Sequence, residues 1–206
     1  MPRSFQIVGD VALVKLPQMG ADDKQALARE FVRRFPRIKT VCEMHGITGE
    51  LRKPVVSIIL GNTTETVHKE HGVLFALDVA LVMLSKGNVY ERKRLVSHIR
   101  DGERVLDMFA GIGYFSIPIA KYTNAAVVAV EKNPVAFEYL LRNIELNKIK
   151  TVTAVHADCR DALFIEKLAD TFDRILMGYL PGTEAYLPYA VAAVKDGGTV
   201  HFHNTY

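Results

Sequence analysis

The sequence predicts an α/β fold in which a Rossmann-like parallel sheet is preceded by a small α+β module. From about residue 104, short apolar strands alternate with helical segments at a regular spacing, which is typical of a parallel sheet with crossover helices. Before that point, strand-like segments surround one helical segment, which is typical of α+β structure. We therefore assign residues 1–100 to the first module and residues 101–206 to the second, with the junction near residues 86–102.

The first module is predicted from four segments. Residues 6–17 alternate loosely between apolar and polar types and end near a proline, which predicts a strand. The segment DDKQALAREFVRRF is predicted to be a helix, with Asp22 as its N-cap and Pro36 as the residue that stops it. The segments TVCEMHG and VVSIILG are predicted to be further strands.

The second module is predicted to contain four strand–helix units and a fifth strand. The strands are RVLDMFA, AAVVAVE, VTAVHAD, RILMGYL and GGTVHFHNTY, and the helices are GYFSIPIAKY, PVAFEYLLRNIELNK, DALFIEKL and EAYLPYAVAAV. This alternation predicts a doubly wound sheet with right-handed crossovers, which is a nucleotide-binding architecture.

The bulk composition is that of an ordinary globular protein. Apolar residues make up 49% of the chain and charged residues 24%. The sequence contains no run of 18 apolar residues and no secretory pattern at its N-terminus, so we expect a cytoplasmic location. Cys42 and Cys159 fit neither a disulfide framework nor a metal-ligand cluster, and we expect both to be reduced. His45, His68 and His71 match no zinc-binding spacing, so no metal is predicted.

Charge is distributed unevenly along the chain. Residues 1–100 contain 16 Lys and Arg against 10 Asp and Glu, whereas residues 101–206 contain 10 against 13. The first module is therefore the one expected to face a polyanion. Its basic residues cluster at Arg29, Arg33, Arg34, Arg37 and Lys39. This cluster is compatible both with a phosphate-binding stripe and with a solvated helix face.

The segment VLDMFAGIGYFSIPIA predicts a ligand cradle at the end of the first strand of the sheet. Asp107 closes that strand, and Gly111 and Gly113 form the turn before a helix, where backbone N–H groups point toward a ligand. A carboxylate at this position can hold the ammonium of a methionine moiety or offset a sulfonium charge.

Two further acids are predicted to lie at the same edge of the sheet. Glu131 ends the second strand, where an acid can accept hydrogen bonds from both hydroxyls of a ribose. Asp158 ends the third strand and can accept from an exocyclic adenine amine, with the backbone of Cys159 near the ring. NAD dehydrogenases usually carry G-x-G-x-x-G, whereas here Ser116 stands at the third glycine position. The pattern favours S-adenosylmethionine over NAD.

The motif D-x-F-x-G-x-G followed by E-x-N-P resembles the first two motifs of class I S-adenosylmethionine-dependent transferases. From about Arg52 onwards, the sequence is also similar to one tRNA-modifying family. That family contains guanine-N1 methyltransferases that act next to the anticodon and wybutosine-pathway enzymes that transfer an aminocarboxypropyl group to a tricyclic guanosine derivative. The methyltransferases carry an Asn-Pro-Pro or Asn-Leu-Pro type signature after the fourth strand. Here that position holds Met-Gly-Tyr-Leu-Pro-Gly (177–182), without the asparagine, which is similar to the aminocarboxypropyl branch.

The resemblance implies transfer of the 3-amino-3-carboxypropyl group of S-adenosyl-L-methionine to the wybutosine precursor next to the anticodon of tRNA(Phe), which leaves methylthioadenosine. Methylation of guanine N1 is the alternative, because both reactions are displacements at a carbon attached to one sulfonium and differ in which carbon faces the nucleophile. A non-catalytic RNA-binding protein would show eroded acids at the strand ends. An oxidoreductase would bind NADH and no S-adenosylmethionine.

The same resemblance assigns roles outside the three acids. Ser85 and Arg92 are implied to help hold the cofactor, Glu91 matches the general base of the methyltransferase branch, and Arg52 matches an arginine that stabilises charge on the carbonyl oxygen of the base. From the residues alone, Tyr114, Tyr179 and Tyr186 are candidates for stacking on a flipped base or for core packing. The usual transferase sheet continues through a further helix and two more strands, so an exposed sheet edge is expected after the fifth strand.

Overall fold

The computed structural model describes residues 4–84, 88–161, 168–180 and 182–203. The chain divides into two compact units, Met1–Ser85 and Lys86–Tyr206. Several basic residues that the sequence analysis counted with the first module belong to the second unit: Lys86, Arg92, Lys93, Arg94 and Arg100. The charge excess is therefore shared between the two units.

The first unit contains a four-stranded sheet with the order β1-β2-β3-β4 and a separate two-stranded hairpin, β5-β6. Strands β2 and β3 are parallel, and the other neighbouring pairs are antiparallel. The strands are β1 (Ser4–Val8), β2 (Val11–Lys15), β3 (Thr40–Thr48), β4 (Lys53–Leu60), β5 (Glu65–Glu70) and β6 (Val73–Asp78). The strands predicted from TVCEMHG and VVSIILG correspond to β3 and β4.

Two local predictions for this unit are wrong. The single strand predicted over residues 6–17 is a hairpin, because Gly9 adopts a positive φ of 56° and turns the chain between β1 and β2. Helix α1 (Ala21–Arg34) has Gly20 as its N-cap, so Asp22 lies in the first turn rather than at the cap. The helix ends before Pro36, as predicted. Its buried residues, Ala28 and Phe31, pack in a core with residues of β2 and β3.

The second unit contains five parallel strands with the order β11-β10-β7-β8-β9. This order confirms the predicted Rossmann-like doubly wound sheet. Its strands are β7 (Arg104–Asp107), β8 (Ala126–Glu131), β9 (Val152–His156), β10 (Phe172–Met177) and β11 (Val194–Phe202). Its helices are α2 (Val89–Val96), α3 (Ser116–Tyr122), α4 (Pro134–Leu146), a 3₁₀ turn (Thr183–Tyr186) and α5 (Leu187–Ala193). Most of the helix predicted from DALFIEKL lies outside the described residues.

A buried ion pair fixes the amino end of β10 in this sheet. Arg174 donates to both carboxylate oxygens of Glu103, at 2.7 and 3.0 Å, and also to the carbonyl of His98 at 3.0 Å. Its third contact is with Nε2 of His201, at 2.7 Å. Since few Arg and Glu side chains are buried unless they are paired, this network connects β10 to β11 and to the segment between α2 and β7. Among the described helices, none is long and apolar enough to cross a membrane.

Candidate active site

Asp107 lies fully buried at the carboxyl end of the central strand β7. The Ser116 hydroxyl donates a 2.6 Å hydrogen bond to its Oδ2, while Oδ1 is enclosed and has no partner in the described part of the chain. Burial raises the pKa of this carboxyl to about 6. The serine that replaces the third glycine of an NAD motif therefore anchors the acid at the base of the loop.

The two glycines of the loop are required by backbone conformation and by packing. Gly111 and Gly113 both have positive φ, at 57° and 99°. A Cβ on Gly113 would lie 2.5 Å from Ile117 and 3.1 Å from Leu140, so the loop packs directly against α3 and α4. A Cβ on Gly111 would meet the Tyr114 ring at 2.8 Å. The sequence analysis placed these glycines in a turn whose backbone N–H groups point toward a ligand, and the structure adds close approach of the neighbouring helices.

Glu131 ends β8 and binds the glycine loop from the side. Its Oε2 accepts a 2.7 Å hydrogen bond from the backbone N–H of Gly111, and its Oε1 accepts a 2.6 Å bond from the N–H of Asn133. Burial raises the pKa of this carboxyl above its usual value. Each oxygen has a second lone pair and the side chain is only half-buried, so the carboxylate can still accept hydrogen bonds from the hydroxyls of a ribose.

Asp158 follows β9 and is held by two cations. Arg160 donates to it at 2.7 and 3.0 Å, and the Lys132 ammonium lies 3.1 Å from Oδ2. These partners, above all Arg160, hold the pKa of the carboxyl well below its usual range. The neighbouring Cys159 is buried, and burial raises the pKa of its thiol to about 12. The thiol is therefore protonated at neutral pH, which agrees with a binding contribution through its backbone only.

Helix α2 brings Glu91 and Arg92 to this unit. Arg92 is buried, and its guanidinium carbon lies 5.7 Å from the centre of the Tyr114 ring, next to the glycine loop. Glu91 accepts two 2.7 Å hydrogen bonds from Arg94, and this pairing lowers the pKa of the Glu91 carboxyl. Neighbours on one helix thus have different roles, since Arg92 faces the loop while Glu91 is held ionised.

His203 is a site residue that the sequence analysis missed. It directly follows β11, its Nε2 lies 3.5 Å from Oε1 of Glu91, and its ring stacks on Phe115 with centroids 5.8 Å apart. Its Nδ1 is buried without a hydrogen-bond partner among the residues that the structure describes. The contact joins positions more than 100 residues apart, and the only sequence signal was that His203 belongs to the fifth predicted strand.

An aromatic cluster follows β7 and β10 at the same edge of the sheet. The Phe109 ring stacks on Tyr179 at 5.2 Å and meets Tyr186 edge-on at 4.9 Å. The guanidinium of Arg160 lies 5.1 Å from the centre of the Tyr186 ring. Gly178, which directly follows β10, gives room to Phe115, because a Cβ there would lie 2.8 Å from that ring. Of the three candidate stacking tyrosines, Tyr179 and Tyr186 belong to this cluster, and Tyr114 lies beside Arg92.

Arg52 and the three histidines considered as metal ligands belong to the first unit. Arg52 ends the turn between β3 and β4 with a φ of 53°, and its Nη2 lies 3.8 Å from Sδ of Met83. Ser85 lies outside the described residues. His45 bonds Ser57 at 2.8 Å, and His68 accepts from the N–H of Gly9 at 3.3 Å, so both make hydrogen bonds within the first unit. Across the described residues, no group of three or more His, Cys, Asp or Glu side chains could hold a metal ion.

The structure therefore brings six of the predicted cofactor residues to one edge of one sheet: Asp107, Gly111, Gly113, Glu131, Asp158 and Cys159. Ligands of doubly wound folds bind at the carboxyl ends of the strands, near the point where the strand order reverses. In this sheet that point lies between β7 and β10. The half-buried carboxylate of Glu131 and the glycine turn fit an adenosyl group, so the fold and site define a Rossmann-like transferase of the S-adenosylmethionine-dependent class.

Comparison with known proteins identifies the family within that class. The model of the TRM5/TYW2 methyltransferase domain matches residues 66–206, and that of the TYW2 N-terminal domain matches residues 1–64. The chain belongs to the TRM5/TYW2 methyltransferase family.

Three of the similar proteins illustrate the two branches of this family. The chain is 45% identical, over 98% of its length and 78% of the relative, to the tRNA(Phe) (4-demethylwyosine(37)-C(7)) aminocarboxypropyltransferase of Methanocaldococcus jannaschii. It is 37% identical, over 98% of its length and 60% of the relative, to the tRNA (guanine(37)-N(1))-methyltransferase Trm5b of Pyrococcus abyssi. The crystal structure of P. horikoshii TYW2 in complex with MeSAdo covers 99% of this chain and 72% of that chain, with a TM-score of 0.85 and 38% identity.

Proposed function

We propose that this protein transfers the 3-amino-3-carboxypropyl group of S-adenosyl-L-methionine to the tricyclic wybutosine precursor at the position next to the anticodon of tRNA(Phe). The observation that carries the proposal is the 45% identity, over nearly the whole chain, to an enzyme named for this reaction at C7 of 4-demethylwyosine. The loop after β10 agrees with this branch, because it lacks the asparagine of the methyltransferase signature.

The reaction is a displacement at carbon. The bond between the sulfonium sulfur and the γ-carbon of the methionine chain breaks, and a bond forms between that carbon and C7 of the base. The base loses the C7 proton, and methylthioadenosine leaves with the electron pair of the broken bond. The protein therefore has to hold the donor in one pose, present the γ-carbon to the base and accept a proton.

We propose that the carboxyl edge of the second unit holds the donor. Glu131 accepts hydrogen bonds from the ribose hydroxyls while it continues to hold Gly111. Asp158, with the backbone of Cys159, binds the adenine amine, and Arg92 holds the methionine end from α2. Asp107 acts from beneath the loop through Ser116, since it is fully enclosed.

The remaining assignments concern the base. We propose that Glu91 accepts the proton lost from the nucleophilic carbon, with His203 beside it, and that the Arg52 guanidinium faces the charge that develops on the base. A glutamate carboxyl is already ionised at neutral pH, and Arg94 lowers the pKa of Glu91 further, so Glu91 is in the protonation state that a base requires. Ser85 completes the proposed donor-binding set.

Methylation of guanine N1 is the second candidate, and the observation that favours it is the 37% identity to Trm5b of P. abyssi. In that reaction the methyl carbon, rather than the γ-carbon, would face the base, and the leaving group would be adenosylhomocysteine. The two candidates share a donor, so donor binding alone does not separate them.

A double-label experiment tests the proposal. Protein and tRNA(Phe) carrying the tricyclic precursor are incubated with S-adenosylmethionine labelled either in the methyl group or in the methionine carboxyl carbon, and label retained on the RNA is counted. We expect carboxyl label and no methyl label. Methyl label alone would make the protein a methyltransferase, and absence of both labels would overturn group transfer to this base. The control substrate is the same tRNA without the precursor.

A further inference from the structure

Helix α1 presents two arginines without protein partners. Arg29 and Arg33 are both exposed, and within the described ranges neither forms an ion pair, a side-chain hydrogen bond or a ring contact. Two other cations of this unit are paired, since Lys24 lies 2.7 Å from Glu43 and Lys39 lies 3.0 Å from Asp10. The two arginines are therefore an unneutralised cationic surface.

The spacing of these arginines places them on one face of the helix. Residues four apart lie about one turn from each other, so Arg29 and Arg33 project side by side. Arg34 is also exposed, and the exposed acid Glu30 lies about one turn before both Arg33 and Arg34. Arg37 follows the helix and is also exposed.

Two explanations compete for this surface. Basic residues in the last turn stabilise a helix through its dipole, and Arg33 lies in the last turn of α1. Arg29, however, lies one turn earlier, where the effect of the dipole has fallen off. Planar guanidinium groups match the geometry of phosphate oxygens, and an exposed basic stripe is the electrostatic signature of nucleic-acid binding.

We propose that Arg29 and Arg33 bind phosphate groups in the backbone of the tRNA substrate. This inference rests on the proposed function, which makes tRNA the substrate, and it adds a docking surface on α1 that is separate from the chemistry. Phosphate contacts fix the position of a protein on RNA without reading its bases. The surface therefore contributes to affinity and leaves the group-transfer step unchanged.

The test compares two variants with equal loss of charge. Arg29→Gln/Arg33→Gln removes the proposed surface. Lys148→Gln/Lys150→Gln removes two exposed cations at the amino end of β9, opposite the carboxyl edge of the sheet. Glutamine is a good helix former, so α1 should persist, and an unchanged thermal midpoint checks this. Binding to a tRNA(Phe) transcript is measured by fluorescence anisotropy between 50 and 200 mM NaCl, in line with the salt dependence of phosphate contacts.

For the arginine variant we expect the Kd to exceed that of wild type most strongly at 50 mM NaCl and less as salt rises. The magnitude of the slope of log K against log salt should fall by about 2, or about 1 for each lost phosphate contact. The lysine variant should retain the wild-type Kd and slope. Equal behaviour of the two variants would overturn the inference. The label experiment reports on the proposed function separately, because a protein that binds tRNA through α1 but transfers no label would disprove the chemistry and leave the surface intact.

Discussion

The backbone N–H of Gly111 donates a 2.7 Å hydrogen bond to Oε2 of Glu131, which joins the loop after β7 to the end of β8. The acid that the sequence assigned to a ribose is thus also the residue that fixes the glycine turn. One carboxylate connects two neighbouring strands at the edge where the donor is proposed to bind, so its loss should affect the shape of the site as well as a contact to the ligand.

We expect Glu131→Gln to weaken S-adenosylmethionine binding by roughly tenfold to hundredfold, since a hydrogen bond to a charged group contributes about 1.5–3 kcal/mol. In the glutamine variant an NH₂ group replaces one carboxylate oxygen, and it would face the backbone N–H of either Gly111 or Asn133, both of which donate to Glu131 in the wild type. Isothermal titration calorimetry measures the change. Glu138→Gln on the exposed face of α4 is the control and should bind as wild type. Equal affinity of the two variants would remove Glu131 from the donor site.

Gly113→Ala tests the second requirement of the loop. The new Cβ would meet Ile117 and Leu140 at a φ of 99°, so we expect a loss of roughly 2–5 kcal/mol in the free energy of unfolding. Gly102→Ala is the matched control, because its φ is 82° and no atom lies within 4 Å of the added Cβ. There we expect a loss of about 1–2 kcal/mol from the backbone alone. Urea unfolding compares the two, and similar losses would show that packing at Gly113 matters little.

The parallel sheet and the edge that carries the acids could be predicted because both depend on local order. Each acid ends an apolar strand or lies within two residues of its end, and parallel strands end at one edge, so Asp107, Glu131 and Asp158 lie at that edge. The hairpin of β5 and β6 was missed because its first strand is mostly polar and half exposed, and it gives only a weak alternating pattern.

Long-range contacts were beyond the reach of sequence patterns. His203 reaches Glu91 only because β11 lies beside β10 and ends near α2, and Arg174 pairs with Glu103 across neighbouring strands. The burial of Asp107 depends in the same way on how α3 places Ser116 above it. The sequence pattern predicted an acid at the end of β7. The packing of the folded chain buries this acid, Asp107, beneath the glycine loop, where it accepts a hydrogen bond from Ser116.

Asp107 should make stability depend on pH in an unusual direction. Its folded pKa of about 6 exceeds the usual value of 3.8, so between about pH 4 and 6 the folded state holds a proton that the unfolded state has released. The free energy of unfolding therefore falls as pH rises through this range, by about 2 kcal/mol from this group. Asp107→Asn removes that dependence. Urea unfolding at pH 4 and pH 7 should show the variant gaining about 2 kcal/mol relative to wild type on going to pH 7.

The comparison between variant and wild type cancels the other carboxyl groups. Carboxyl groups with lowered pKa values, such as Glu103 and Asp173, make the free energy of unfolding fall as pH falls, which is the opposite of the effect of Asp107. Asp196→Asn, at an exposed position on β11, is the control and should leave the pH dependence of wild type unchanged. A constant difference between Asp107→Asn and wild type across this range would contradict a raised pKa.

Arg94 should set the acid limit of catalysis through Glu91. Its two 2.7 Å hydrogen bonds are the main reason that the pKa of Glu91 is lowered, while burial acts in the opposite direction. Arg94→Gln removes the lowering influence, so the pKa of Glu91 should rise and the acid limb of the pH profile of kcat/KM should move to higher pH. Lys93→Gln, an exposed neighbour with the same charge loss, should leave that limb in place.

Glu91→Gln should lower kcat by about 10²- to 10⁴-fold with unchanged donor affinity, as expected for loss of a general base. If kcat survives Glu91→Gln, the proton must go to another group, and His203 would be the next to test.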